Sequence, residues 1–197
     1  QWVFNKLLLE GSMDTLACIR FVGEQTEADC FEPLTRYWAP DRDQNDQAQT
    51  ARQLLDQLGL QVSSYTLDTD WAVYDDEGFQ RCVQTAIARL QTAEILGTDH
   101  VRVDPHTSLP PEHAQNPDMD YVLARMAEGM ARIADAAAPR GIKVGVENHG
   151  LQVGTIERVR RLVELVDRPN FGVNLDPTNF YVVHGEDYIE ATRIFAP

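Results

Sequence analysis

The fold of this chain is decided by residues 143–180. The first segment reads Lys143-Val-Gly-Val-Glu-Asn-His-Gly150, and the second reads Asn170-Phe-Gly-Val-Asn-Leu-Asp-Pro-Thr-Asn-Phe180. Each is a short apolar strand that ends in an acid, Glu147 or Asp176. The apolar residues between the two segments have helical spacing, which predicts a strand–helix–strand unit with parallel strands. Both carboxylates are therefore expected at the C-terminal edge of neighbouring strands, where parallel α/β proteins place their chemistry.

Two carboxylates at one edge need a shared cation or a shared proton, because like charges at close range do not both stay ionised without help. A single carboxylate at a strand end is commonly just solvated. The pairing of Glu147 with Asp176 favours metal ligation instead. Oxygen ligands of this kind suit Mn²⁺ or Mg²⁺, and an added imidazole also admits Co²⁺ or Zn²⁺.

Strand and helix patterns alternate along the whole chain, so we predict a parallel sheet with helices outside it. Helices are expected at residues 13–23 with Ser12 as the cap, and at 47–58, 75–96, 116–138, 159–166 and 187–195. Strands are expected at residues 2–9, 29–34, 60–67 and 99–104, and around Val144 and Val173. The 197 residues suit one domain spanning residues 1–197. A doubly wound sheet and a (β/α) barrel both satisfy this order, although a barrel has eight units in about 250 residues.

Composition excludes several classes of partner. A formal net charge of −14 argues against sequence-independent binding to the phosphate backbone of nucleic acid. No apolar run is long enough to span a membrane, and residues 1–9 lack the features of a signal peptide. Cys18, Cys30 and Cys82 are widely spaced, as is typical of thiols in a reducing cytosol. We therefore expect a cytoplasmic protein.

The two motifs resemble the sugar phosphate isomerase/epimerase superfamily, the xylose isomerase-like TIM barrels also called the AP endonuclease 2 family. An apolar-Glu-Asn-His-Gly segment at residues 146–150 precedes Gly-Val-x-x-Asp-x-x-Asn at residues 172–179. The resemblance implies a parallel (β/α) barrel, of which this chain holds six of eight units, with Glu147 and Asp176 as metal ligands. The family's further His and Glu ligands, on strands seven and eight, have no counterpart here. We therefore expect a second copy or further residues to complete the barrel, and a homo-oligomer.

The resemblance also implies a function in carbohydrate metabolism. The expected protein is a metal-dependent isomerase or epimerase of a sugar or related keto compound, acting by proton abstraction through a metal-stabilised enediolate. Glu147 is expected to be one of the carboxylates that move the proton. The alternatives are a lyase or dehydratase acting on a keto-inositol or keto-acid at the same site, and a truncated, non-catalytic barrel. A repair nuclease is disfavoured by the net charge and by Asn179, where that branch of the superfamily needs a histidine.

Four further residues are predicted to contact a small sugar or keto-acid substrate. Asn179 offers an amide three residues after Asp176, and His149 follows the first metal ligand by two residues. Glu32 ends the second predicted strand and His106 follows the fourth, so both are expected near the same edge. For Glu32 and His149 the simpler alternative is that they only hold the adjacent loop.

Overall fold

The structure is a computed structural model that describes residues 1–196. It divides into two compact units. Unit one consists of Gln1–Asp68 and Ala88–Val101, and unit two consists of Thr69–Ile87 and the described residues from Arg102 onward. The prediction of a single domain over residues 1–197 stays a prediction. Among the described residues, no helix is both long enough and apolar enough to cross a membrane.

Helices and strands alternate along most of the chain. The helices are α1 Asn5–Leu9, α2 Thr15–Gln25, α3 Gln44–Leu58, α4 Asp76–Leu96, α5 Pro111–Ala114, α6 Met119–Ala137, α7 Gly150–Val153, α8 Ile156–Val166, α9 Pro177–His184 and α10 Tyr188–Phe195. The strands are β1 Cys30–Phe31, β2 Gln61–Val62, β3 Tyr65–Leu67, β4 His100–Val103, β5 Lys143–Glu147 and β6 Phe171–Asn174. Short 3₁₀ helices lie at Trp2–Phe4, Thr35–Tyr37 and Ala138–Arg140.

Unit one contains a short parallel strand pair and a packed pair of helices. Strand β1 pairs with β2 so that Phe31 lies opposite Val62, and both side chains are buried. Helix α3 packs against α2. It begins after Asp43, whose carboxylate accepts the first backbone N–H groups, and ends at Gly59 with φ 69°. A positive φ is the conformation that glycine supplies at a helix end without strain.

Unit two contains the longer strand pair. Strands β4, β5 and β6 lie side by side in that order. Strand β5 runs parallel to β6, with Val144 opposite Phe171 and Glu147 opposite Asn174. Helices α6 and α8 pack together, and α8 also contacts β6. The inner residues predicted for α6 are buried, namely Val122, Leu123, Met126, Met130, Ile133 and Ala137. The predicted parallel strand–helix–strand unit is therefore confirmed.

Four local predictions are wrong. Residues 2–9 are helical instead of a strand, and Trp2 and Val3 are exposed, so this apolar run has no sheet to join. Asp14, not Ser12, caps α2, because the Asp14 carboxylate accepts from the N–H of Ala17 at 2.8 Å. The predicted strand at 60–67 is two strands, with Ser63 and Ser64 between them. Helix α6 begins at Met119 with Asp118 as its cap, two residues later than expected.

Candidate functional site

The edge formed by β5 and β6 is held together by the fully buried side chain of Asn148. Its Nδ2 donates to the backbone oxygen of Asp176 at 2.7 Å, and the backbone N–H of Asp176 donates to Asn148 Oδ1 at 2.7 Å. Both hydrogen-bonding groups of one peptide position are thus satisfied by one amide. This contact, which we call the Asn148 clamp, ties the residue after β5 to the start of α9 and fixes where Asp176 lies.

The carboxylate of Asp176 also caps helix α9. Its Oδ1 accepts from the backbone N–H of Thr178 at 2.9 Å, and Pro177 occupies the first helical position. An acidic cap followed by proline is a common helix start. The sequence analysis did not predict this helix. Asp176 therefore has a structural role that is independent of any metal.

The carboxylate of Glu147 lies between a guanidinium and an amide. Arg102 Nη1 lies 3.1 Å from Glu147 Oε2, and Asn179 Nδ2 donates to Glu147 Oε1 at 3.5 Å. Arg102 Nε also lies 3.3 Å from Asp104 Oδ1. The side chains of Arg102, Glu147 and Asp104 are only 17%, 13% and 9% exposed. These largely buried side chains form a row of acid, guanidinium and acid, which we call the Arg102 row.

The Arg102 row is anchored through the backbone of Asp104. The Asp104 oxygen accepts from Thr69 Oγ1 at 2.6 Å and from the indole N–H of Trp71 at 2.8 Å. Sequence analysis missed Arg102 and Asp104 as site residues, although a signal was present. They are two positions apart in an otherwise apolar segment, and alternate residues of a strand point to the same face.

The predicted site residues are brought together only in part. Glu147, Asp176 and Asn179 share the β5–β6 edge through the contacts given above. His149 and His106 are exposed. Glu32 belongs to unit one, where its carboxylate accepts a hydrogen bond from the Thr66 hydroxyl. The substrate roles of Asn179, His149, His106 and Glu32 stay predictions.

The metal ligands were predicted to be the carboxylates of Glu147 and Asp176, and that assignment stays a prediction. No group of three or more His, Cys, Asp or Glu side chains within residues 1–196 is arranged to hold a metal ion. Asn174, two residues before Asp176, is exposed, and the contacts to Asp176 come from Asn148 and Thr178.

Comparison with protein families identifies the class. Residues 24–197 match the family described as xylose isomerase-like TIM barrel. Because the match covers most of the chain, the chain belongs to this family. The predicted fold class, a parallel (β/α) barrel of TIM type, is confirmed. No curated protein matches the sequence.

Solved structures share the fold. A D-psicose 3-epimerase determined in the presence of D-fructose is 18% identical, with a TM-score of 0.74 over 92% of this chain and 64% of that chain. The probable 3-DHS dehydratase AsbF of Bacillus anthracis is 16% identical, with a TM-score of 0.69 over 94% and 65%. An IolI protein with a bound zinc atom is 20% identical, with a TM-score of 0.68 over 95% and 62%. The chain thus spans less than two thirds of the length of each structure.

Proposed function

We propose that the protein is a metal-dependent isomerase or epimerase of a sugar or related keto compound. The observation that carries the proposal is the β5–β6 edge. There the largely buried carboxylate of Glu147 ends β5, and the clamped Asp176 lies two residues after the end of the adjacent parallel strand β6. Membership of the family and the likeness to a D-psicose 3-epimerase support the same class of reaction.

The chemistry proposed for this edge is removal of a proton from the carbon beside a carbonyl. Glu147 acts as the base, and a base must be held within hydrogen-bond reach of the proton it removes. Arg102 and Asn179 contact opposite oxygens of the Glu147 carboxylate and so restrict its rotation. The side chain is 13% exposed, which limits the water that competes for it. These features orient a base without requiring large movement.

The donor set fits a hard divalent cation in chemical type. Glu147 and Asp176 would hold it, and carboxylate oxygens are the ligands that Mn²⁺ and Mg²⁺ prefer, with Co²⁺ or Zn²⁺ as further candidates. When bound, such a cation polarises a carbonyl and makes the neighbouring proton easier to remove. The IolI structure with zinc supports a divalent metal in this family. Because the described residues supply two carboxylates, we expect weak retention unless further ligands join them.

The test replaces each carboxylate separately in the longest natural form of the protein. The variants are Glu147→Gln and Asp176→Asn, with Glu157→Gln and Asp120→Asn as controls that make the same chemical change at exposed helix positions. Asn caps a helix about as well as Asp, so Asp176→Asn leaves α9 capped. The measurements are Mn²⁺ affinity by calorimetry and deuterium exchange at the carbon beside the carbonyl of ketohexoses by NMR.

We expect Glu147→Gln to lower the exchange rate by about 100-fold or more, the size typical of losing a general base. Asp176→Asn should weaken Mn²⁺ binding while leaving unfolding unchanged. Both control variants should behave like the wild type. If the two site variants keep full Mn²⁺ affinity and full exchange, the proposed function is wrong.

The same experiment separates the two alternatives. A lyase or dehydratase acting on a keto-inositol or keto-acid begins with the same proton removal but then releases water, so its product is an unsaturated compound that NMR distinguishes. The likeness to a probable dehydratase gives this alternative its support. A non-catalytic barrel would show no exchange with any keto compound, whether or not Mn²⁺ binds.

We further propose that the protein is a cytoplasmic homo-oligomer whose partner is a small-molecule substrate. Helices α9 and α10 support association, because they expose several large apolar side chains, namely Tyr181, Val182, Tyr188, Ile189 and Ile194. Contiguous exposed apolar surface favours contact with another protein surface. Light scattering tests this point, and a stable 22.2 kDa monomer at micromolar concentration would contradict it.

A further inference from the structure

Unit one contains a cavity of about 420 Å³ that has no residue in common with the Arg102 row or the Asn148 clamp. This volume falls within the range of about 300–1,000 Å³ that is usual for small-molecule sites. The lining combines an apolar wall, formed by Trp38, Ala39 and Pro40, with three arginines: Arg36, Arg42 and Arg89.

The three arginines differ in whether an acidic side chain pairs with their charge. Arg36 forms an ion pair with Asp68 and lies over the ring of Trp2 at 5.6 Å. In contrast, no ion pair or side-chain hydrogen bond to Arg42 or Arg89 is found within residues 1–196. Arg89 is half-buried, so its charge is only partly solvated. A cavity therefore contains two guanidinium groups that lack an anionic partner in the described chain.

A shortage of acids does not explain this arrangement. The chain has 31 acidic residues and 17 basic ones, so acidic side chains are abundant. The acid that lines the cavity, Asp43, is engaged elsewhere, because its Oδ1 accepts the backbone N–H groups of Asn45 at 2.8 Å and Asp46 at 3.2 Å. Asp43 thus caps α3, and no ion pair joins it to Arg42 or Arg89 within residues 1–196.

Two lining residues, Trp38 and Gln44, are joined by hydrogen bonds to the buried Tyr65. The Trp38 indole N–H donates to the Tyr65 hydroxyl at 3.1 Å, and that hydroxyl donates to Gln44 Oε1 at 3.1 Å. Burial raises the pKa of Tyr65, and the charge of Arg89 acts in the opposite direction. Arg89 thus lies close enough to this hydrogen-bonded hydroxyl for its positive charge to act on it.

We propose that this cavity binds a small molecule through an oxyanion, with Arg89 and Arg42 as the anchoring groups. A guanidinium presents a planar array of donors that matches a phosphate or a carboxylate, and charge-assisted hydrogen bonds are stronger than neutral ones. The apolar wall and the volume leave room for a carbon body attached to the anion. The phosphate of a phosphomonoester and the carboxylate of an organic acid share this chemistry.

The experiment measures the affinity of the full chain for inorganic phosphate, ribose 5-phosphate, succinate and ribose by calorimetry at fixed ionic strength. The variants are Arg89→Met, Arg42→Met and Arg89→Lys. Arg20→Met is the matched control, since Arg20 is an exposed arginine of unit one outside the cavity. Urea unfolding of every variant shows whether a loss of binding is merely a loss of folding.

We expect the anionic probes to bind and ribose not to bind. Arg89→Met should weaken binding by about tenfold or more, the effect of losing a hydrogen bond between charged groups. Arg89→Lys should retain part of the affinity for the anions, because lysine keeps the positive charge but lacks the bidentate geometry of a guanidinium. Tighter binding of ribose 5-phosphate than of succinate assigns the ligand as a phosphomonoester, and the reverse order assigns an organic acid.

Two results would overturn the proposal. One is that none of the three anions binds at about 20 mM, a concentration at which even interactions weaker than 1 mM are detected. The other is that Arg20→Met weakens binding as much as Arg89→Met, which would mean that overall charge is responsible. Neither result depends on whether the Glu147 edge carries an isomerase activity.

Discussion

Two parallel strand pairs of this protein are each followed or ended by a glutamate, and the surroundings of the two glutamates differ. Glu32 follows β1, and its carboxylate accepts from the neutral hydroxyl of Thr66. Glu147 ends β5, and its carboxylate meets the guanidinium of Arg102 and the amide of Asn179. The position at a strand end is common to both. The two carboxylates thus share a position at a strand end and differ in these contacts.

The two strand pairs also differ in length and in how firmly they are held. Strands β1 and β2 contain two residues each, whereas β5 and β6 pair over four positions and are tied by the Asn148 clamp beyond the last pair. A catalytic carboxylate has to be held to within a fraction of an ångström. The longer, clamped pair provides that support, which is why we assign the chemistry to Glu147.

The largest effect on stability is expected from Arg102→Met. The change leaves the Glu147 and Asp104 carboxylates, which are 13% and 9% exposed, without the guanidinium between them. Removing one partner of a largely buried ion pair is destabilising by about 3 kcal/mol or more. Urea unfolding at pH 7 measures it.

The matched control for Arg102→Met is Arg168→Met. Arg168 holds an exposed ion pair with Asp135 and lowers the pKa of that carboxyl through its hydrogen bond. Exposed pairs contribute little to stability. Equal destabilisation by Arg168→Met and Arg102→Met would mean that burial of the Arg102 row does not increase its contribution to stability. The expected difference between this buried row and the exposed Arg168–Asp135 pair would then be wrong.

Asn148→Ala is expected to have the next largest effect. It leaves the backbone N–H and oxygen of Asp176 without the two 2.7 Å hydrogen bonds, in a position where the lost side chain was fully buried. Unsatisfied buried groups of this kind are each destabilising by about 1–3 kcal/mol. We expect a total of about 2–3 kcal/mol by urea unfolding. Asn116→Ala, in an exposed loop, is the control, and an equal loss in both variants would contradict the clamp.

The corresponding change in the first strand pair is Thr66→Val. It keeps the volume of the buried Thr66 side chain but removes the hydroxyl that donates to Glu32. One hydrogen bond contributes about 1 kcal/mol, so the loss should be smaller than for Asn148→Ala. A loss larger than that of Asn148→Ala would show that the Glu32 pair, and not the Glu147 pair, is the more firmly supported edge.

Local chemistry explains which parts of the fold could be predicted from the sequence. Gly59, Gly97 and Gly141 follow predicted helices in the sequence, and all three adopt the positive φ that glycine allows at a helix end. Glu147 is the last residue of β5, as predicted, whereas β6 ends at Asn174 and Asp176 lies two residues beyond it. Residues 2–9 were mispredicted because apolar content alone does not separate a strand from a short exposed helix.

The contacts of the site could be predicted only in part. Arg102 meets Glu147 because β4 lies beside β5, and that neighbour relation is a property of the sheet that no single motif contains. Asn148 follows Glu147 in the motif, and the motif does not indicate which group its side chain contacts. In the structure it reaches the backbone of Asp176, 28 positions away in sequence. Side-chain contacts between elements thus had to come from the structure.

The last prediction concerns labelling of the cysteines, whose rates of reaction report local opening in each of the two units. Burial raises the pKa of Cys18 in unit one and of Cys82 in unit two to about 11, whereas Cys30 is exposed. Iodoacetamide reacts with the thiolate, which is a minor form at pH 8 when the pKa is about 11, so the buried Cys18 and the half-buried Cys82 react slowly. We expect one label per native chain, at Cys30, and three in urea, by mass spectrometry. Cys30→Ser should abolish the fast label.

The two slow labelling rates then compare the units directly, since each reports opening around its own cysteine. The raised pKa values also determine how the stability of the folded state changes with pH. The protonated thiols favour the folded state, so their contribution is complete below the ordinary value of 9.0 and is lost as the pH rises towards 11. If the short β1–β2 pair makes unit one the more easily opened, Cys18 should be labelled faster than Cys82. Faster labelling of Cys82 would mean that the clamped edge lies in the less stable unit, which would remove the structural reason for assigning the chemistry to Glu147.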